Sequence, residues 1–126
     1  MIQRAFLSNL LINNPDAVII GSIGTISYDL TDIPHKNKIL IRGAMGAALG
    51  CGLGYALASD KEVIVVIGDG AFTMCLPTMA TIEKYKPKNL RIIIINNNQF
   101  KSCGGQSTNF DAIKDKIPYE IFNPED

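Results

Sequence analysis

The sequence predicts an α/β fold, a three-layer, doubly wound sheet with mainly parallel strands, and three observations predict it. Two runs, Val63-Ile64-Val65-Val66-Ile67 and Ile92-Ile93-Ile94-Ile95, are aliphatic without alternation, which suits strands buried on both faces. Each run ends in a short polar signal, Gly68-Asp69-Gly70 after the first and Asn96-Asn97-Asn98 after the second. The stretch between them holds one helix's worth of pattern, so the runs form a β-α-β unit with both polar ends on one edge of the sheet. That edge is where open parallel sheets bind ligands.

The remaining elements follow in order. Ile2, Phe6 and Leu10, with Leu7 and Leu11, lie along one side of a helix over 2–13, which Asn14-Pro15 ends. A strand at 17–21 is followed by a loop through 37 and a short strand at 38–41. A helix over 46–58 carries Gly46, Gly50 and Gly54 at helical spacing. The weakly polar run from Gly43 to Ser59 is short of the roughly 20 residues a bilayer requires and poor in large aliphatics, so a buried helix packed closely on the sheet or on a second subunit is the better reading. The strand at 63–67 leads to a helix over 77–85, with Pro77 in its first turn, and the strand at 91–95 opens into a functional loop. Ile117 to Phe122 reads as an edge strand, where Pro118 is tolerated.

The 126 residues make one domain, 1–126, large enough for a core and small for a complete enzyme. Hydrophobic residues make up 47% and no segment is repetitive, which argues against disorder. Twelve acidic residues balance twelve basic ones without a basic cluster, leaving no electrostatic footprint for nucleic acid. The three cysteines, Cys51, Cys75 and Cys103, stand far apart without CxxC spacing, so neither zinc nor a disulfide framework is indicated; reduced thiols of a cytoplasmic protein are the economical reading. His35, between Pro34 and Lys36, reads as a solvated loop histidine.

The polar strand ends carry the chemistry. Asp69 offers a carboxylate oxygen and Asn97 an amide oxygen, hard donors of the kind magnesium takes a few of while phosphate and water fill its octahedron. Gly70 lets backbone approach a phosphate, and the amides opening the next helix can face the anion. Two ordinary strand-to-helix turns would use the same residue types.

The combination resembles the thiamine diphosphate signature, in which GDG is followed some way on by NN: here Gly68-Asp69-Gly70 and Asn96-Asn97. The continuation through Ser102-Cys103-Gly104-Gly105-Gln106-Ser107-Thr108 is similar to the diphosphate-binding (PP) half of the phosphonopyruvate and sulfopyruvate decarboxylases. Arg42-Gly43-Ala44-Met45-Gly46-Ala47-Ala48 resembles the GSMG-x-A segment of that family, and Gly21 to Leu30 more weakly resembles its first strand and turn. After residue 113 the resemblance thins, which implies a C-terminally shortened member with an exposed sheet edge.

The resemblance implies a thiamin diphosphate-binding fold of the PP type, with thiamine diphosphate and Mg2+ as cofactors. It implies that Asp69, the Asn97 side chain and the Gln99 carbonyl hold the magnesium ion, that the Gly70 and Ala71 amides assist, and that Gly24 and Thr25 sit near the diphosphate. The Gly43 carbonyl and the Met45 amide would meet the aminopyrimidine ring, with the Met45 side chain wedged beneath the cofactor to hold it bent. The glutamate that activates the ring would come from a separate pyrimidine-binding, alpha-type subunit, so a heteromer with this chain as the β-type subunit is expected. The implied activity is a carboxy-lyase acting on a small anionic 2-oxoacid. A carboligase subunit similar to acetolactate synthase, and a degenerate cofactor-binding or interaction module without catalysis, are the alternatives. Ala44, Asn98 and Arg42 depart from the family pattern and leave the substrate open, as do Lys101 and Cys103, which follow the metal loop.

Overall fold

A computed structural model describes residues 2–124. Five strands form one parallel sheet: β1 (Val18–Gly21), β2 (Lys38–Leu40), β3 (Val63–Gly68), β4 (Leu90–Ile95) and, after a two-stranded hairpin of β5 (Gln99–Phe100) and β6 (Gln106–Ser107), β7 (Glu120–Phe122). Their order is β2-β1-β3-β4-β7, every neighbouring pair parallel. The β-branched run of β3 sits in the centre, buried from Val63 to Ile67, as its unbroken apolar character requires.

Alternate residues of each strand face opposite layers. Val18, Ile20, Val63, Val65, Ile67, Ile92 and Ile94 pack with α3 (Ala47–Ala58), α4 (Asp69–Met74), Ile82 of α5 (Thr78–Tyr85) and Phe110. Ile19, Ile64, Val66, Ile93 and Ile95 pack with Leu7, Leu10 and Leu11 of α1 (Ile2–Asn13) and with Ile26 and Leu30 of α2 (Thr25–Asp32). Helices thus cover both faces, giving the three layers the sequence predicts. Helix α3 lies flush on the sheet: a Cβ at Gly52 would stand 2.1 Å from Val65 Cγ2, whereas Gly50 and Gly54 face outward with nothing within 4 Å.

The structure corrects several local expectations. Residues 25–32 are helical rather than loop; Ile26 and Leu30, one turn apart, bury on the sheet, and Gly24 at φ 91° opens the helix in a conformation that favours glycine. Helix α4 begins directly at Asp69, where the sequence shows a turn signal. Pro77 precedes α5 as its N-cap instead of occupying the first turn. His35 is half-buried rather than solvated: its Nδ1 accepts from the Asn37 N–H at 3.2 Å, which leaves Nε2 to donate to the Asn14 carbonyl at 3.0 Å.

At the C-terminal edge, β7 is shorter than the expected 117–122 strand and starts two residues after Pro118. Arg91 grips Glu120 through two hydrogen bonds of 2.6 and 2.8 Å, and Phe6 stacks on Phe122 with ring centroids 3.9 Å apart. No helix among the described residues is long and apolar enough to cross a membrane.

Candidate cofactor and cation site

The register of the sheet builds the site. Gly68 is level with Ile95, so Asp69 and Asn96 leave the sheet at the same edge, and Gly21 pairs with Val66 close by. A cleft opens above these strand ends.

Its floor comes from the start of α4, with Asp69, Gly70 and Ala71. One wall is the turn into α2, with Gly24 and Thr25; another is the loop after β4, with Asn97, Gln99 and Phe100. Met45 stands at the rim, 38% exposed. Gly43 lies outside the walls, on an exposed turn with nothing within 4 Å of where its Cβ would be. Sequence reasoning assigns no site role to three contributors: Gln3, which reaches from α1 to Asp29 (2.8 Å) and Thr25 (3.3 Å); Ile23; and Phe100, whose ring lies 2.8 Å from a Cβ built on Gly70. Gln3 is brought in only by the packing of α1 on α2. Phe100 stands beside the asparagines, so its place in the loop was the available clue.

Asp69 is the chemical centre. It is 2% exposed, and no lysine or arginine among the described residues forms an ion pair with it. Its Oδ2 accepts from the Thr108 hydroxyl at 2.5 Å and its Oδ1 faces the Asn97 N–H at 3.4 Å. A buried carboxylate without a cationic partner is costly, so the donor set fits a metal ion at this place. Asn97 Oδ1 accepts from the Gln99 N–H at 3.2 Å, which folds the loop back so that both residues line the cleft with Asp69.

The loop is held from beneath by Asn96, 5% exposed. Its Nδ2 donates to Asp111 Oδ1 (2.9 Å) and Asn123 Oδ1 (3.0 Å), and its Oδ1 accepts from the Asn98 N–H (3.0 Å). Asn98, at φ 56°, accepts in turn from the Asp111 N–H at 3.1 Å. The amide of Asn96, assisted by Lys114, holds the Asp111 carboxyl below its ordinary range. Cys103 and Lys101 are exposed and also line the cleft, whereas Cys75 packs beneath Gly46 and burial pushes its thiol upward.

Known proteins share this framework. Residues 20–125 match the family described as thiamine pyrophosphate enzyme, C-terminal TPP binding domain, so the match runs past residue 113, where the motif resemblance thins. The chain is 36% identical over 111 residues to the phosphonopyruvate decarboxylase of Streptomyces viridochromogenes, covering 86% of this chain and 28% of that protein. It is 37% identical over 92 residues to the sulfopyruvate decarboxylase subunit beta of Methanocaldococcus jannaschii, covering 72% of this chain and 49% of that one. With the sulfopyruvate decarboxylase of Methanosarcina acetivorans the identity is 44% over 109 residues, 86% of this chain and 28% of that protein. The chain thus spans between about a quarter and half of the length of these relatives. Among solved structures, a 2-oxoglutarate:ferredoxin oxidoreductase from Magnetococcus marinus superposes with a TM-score of 0.66 at 18% identity, over 84% of this chain and 37% of that one, a likeness of fold. With its parallel α/β layers and a buried acidic centre at the strand ends, the chain belongs to the thiamine pyrophosphate enzyme family, as a C-terminal TPP binding domain.

Proposed function

We propose that the chain is the diphosphate- and magnesium-binding part of a thiamine diphosphate-dependent decarboxylase of small anionic 2-oxoacids, of the phosphonopyruvate or sulfopyruvate kind. The observation that carries the proposal is the buried carboxylate of Asp69, without an ion pair among the described residues, facing a cleft shared with Asn97, Gln99, Gly24 and Thr25. Asp69 Oδ1, the Asn97 amide oxygen and the Gln99 carbonyl would hold Mg2+, and the Gly70 and Ala71 amides would face the diphosphate. Gly24 lets the wall approach closely, since its φ of 91° excludes most side chains. Met45, 38% exposed at the rim, would support the ring end of the cofactor, and the Gly43 carbonyl on the preceding turn would meet the aminopyrimidine. When bound, thiamine diphosphate supplies the electron sink for loss of carbon dioxide. The chain's own part is to bind, orient and exclude water.

A separate pyrimidine-binding subunit would bring the activating glutamate. The outer face of α3 supports this reading: Ala47, Gly50, Gly54, Leu57 and Ala58 are all exposed and none is polar, and Leu57 (52%) lies on the same uncovered side as Gly50 and Gly54. Relatives from Methanocaldococcus jannaschii, Methanococcus maripaludis and Methanothermobacter thermautotrophicus are each named a subunit beta, and the chain spans about half of each. The three cysteines are unpaired, in keeping with a cytoplasmic location.

The test is native mass spectrometry of the tagged chain purified from its host with Mg2+ and thiamine diphosphate, followed by carbon dioxide release from phosphonopyruvate and sulfopyruvate. A cofactor-loaded heteromer that decarboxylates one of them is expected. Decarboxylation by the purified chain alone would overturn the two-subunit assignment, and a cofactor-free monomer without turnover would overturn the enzyme assignment.

A further inference from the structure

The geometry points to Thr108 as a positioning residue of the cation site, which fixes one oxygen of Asp69 so that the other is presented to the metal and ties the 99–110 loop to the start of α4. The inference rests on Asp69 being a cation ligand, as proposed above.

Three contacts define the arrangement. Thr108 Oγ1 lies 2.5 Å from Asp69 Oδ2. The Phe110 N–H donates to the same hydroxyl oxygen at 3.3 Å. The Thr108 N–H donates to the Asn98 carbonyl at 3.3 Å. A hydroxyl has one proton, and with the Phe110 N–H occupying a lone pair, that proton goes to the carboxylate. The bond is therefore a charge-assisted O–H···O⁻ contact between buried Asp69 and half-buried Thr108, among the stronger kinds a side chain forms.

The consequence for Asp69 is directional. Oδ2 is taken, while among the described residues Oδ1 receives only the long 3.4 Å contact from the Asn97 N–H and keeps lone pairs for an ion. The space that a side chain at position 70 would fill is taken by the Phe100 ring, 2.8 Å from the Cβ position, and by the Thr108 γ-methyl, 3.4 Å from it. Its neighbours in the chain play no such part, since Ser107 and Asn109 are exposed and hydrogen-bond each other at 3.1 Å. Thr108 stands 39 positions after Asp69, and the other two candidate ligands, Asn97 and Gln99, lie on the loop that this contact closes. A hydrogen bond of this kind to a ligating carboxylate changes metal affinity by about 10- to 100-fold when removed.

The test is equilibrium dialysis of thiamine diphosphate against the full chain at increasing Mn2+, reading the half-saturating Mn2+ concentration, with trypsin cleavage after Lys101 as a second readout of loop closure. Two pairs isolate the hydroxyl: Thr108 against Thr108→Val, equal in shape, and Thr108→Ser against Thr108→Ala, equal without the methyl. Wild type and Thr108→Ser are expected to need similar Mn2+, Thr108→Val and Thr108→Ala about 10- to 100-fold more, with faster cleavage at Lys101 in both. If one hydroxyl-free variant does not fold, the other pair still decides. Equal Mn2+ requirement with and without the hydroxyl, while Asp69→Ala abolishes cation-dependent binding, overturns the role of Thr108 alone. Cation-independent binding in wild type, or unchanged binding in Asp69→Ala, overturns the cation site and this inference with it.

Discussion

Replacing Gly52 with alanine puts the packing of α3 on β3 to a quantitative test. The added Cβ would stand 2.1 Å from Val65 Cγ2, where ordinary contact begins at 3.4 Å, so one partner must move by more than an ångström. Val65 is fully buried and β-branched, with little rotamer freedom, and the helix cannot lift without opening the core. Overpacking of this kind costs about 1–3 kcal/mol, here at the upper end. The gain in helix propensity from glycine to alanine offsets about 1 kcal/mol, leaving a net loss of about 2 kcal/mol. At about 4 °C per kcal/mol for a chain of this size, the midpoint of thermal unfolding falls by about 8 °C. Gly50→Ala and Gly54→Ala meet nothing within 4 Å and should each raise the midpoint of the isolated chain by about 4 °C. With the proposed partner bound, the same two substitutions should weaken assembly, because small residues permit close approach. The assay is thermal unfolding by circular dichroism of the three variants, together with Val65→Ala and the Gly52→Ala/Val65→Ala double variant. The double variant should lose clearly less than the sum of its singles. Strict additivity, or an unchanged midpoint in Gly52→Ala, would refute the close approach, and destabilisation of the isolated chain by Gly50→Ala would refute the free outer face.

Further expectations concern the loop and the thiols. Asn96→Ala removes the buried amide that ties exposed Asp111 and Asn123 to the end of β4 and should lower the midpoint of urea unfolding. The Asp111 carboxyl is held below its ordinary value first by that amide, so its contribution is present above the unfolded value of 3.8 and is lost as pH falls through the lower folded value. Asn96→Ala should therefore flatten the acid limb of the stability curve below about pH 4, and an unchanged limb would contradict the assignment. With iodoacetamide, exposed Cys103 should be alkylated well before Cys75, whose thiol is raised by burial. Magnesium and thiamine diphosphate together should protect Cys103, since it lines the cleft; peptide mass mapping reads both effects.

The layers of the fold are legible in the sequence because the central strands cannot be mistaken. The aliphatic runs of β3 and β4 have no polar face, and the signals Gly68-Asp69-Gly70 and Asn96-Asn97 mark where both strands deliver their chain to the binding edge. What the sequence conceals is short or non-local. Helix α2 is eight residues rich in β-branched and hydroxyl side chains, with only Ile26 and Leu30 as core anchors, so its identity comes from tertiary burial rather than propensity. Helix α4 hides within the turn signal because Asp69 starts it with no linker. The β5–β6 hairpin has two residues per strand and depends on Gly104 and Gly105 at positive φ. The cleft residues Asp69, Gly70, Asn97 and Gln99 are named by local motifs, whereas the tie from Thr108 to Asp69 and the reach of Gln3 to α2 join residues distant in the chain, which no spacing rule links.

The cofactor and cation assignment stands or falls on calorimetric titration of the chain with thiamine diphosphate, with and without Mg2+, for wild type and Asp69→Ala. Wild type is expected to bind saturably and only when Mg2+ is present, and Asp69→Ala to lose that binding while keeping the fold. Binding that is indifferent to Mg2+, or that persists in Asp69→Ala, would contradict it.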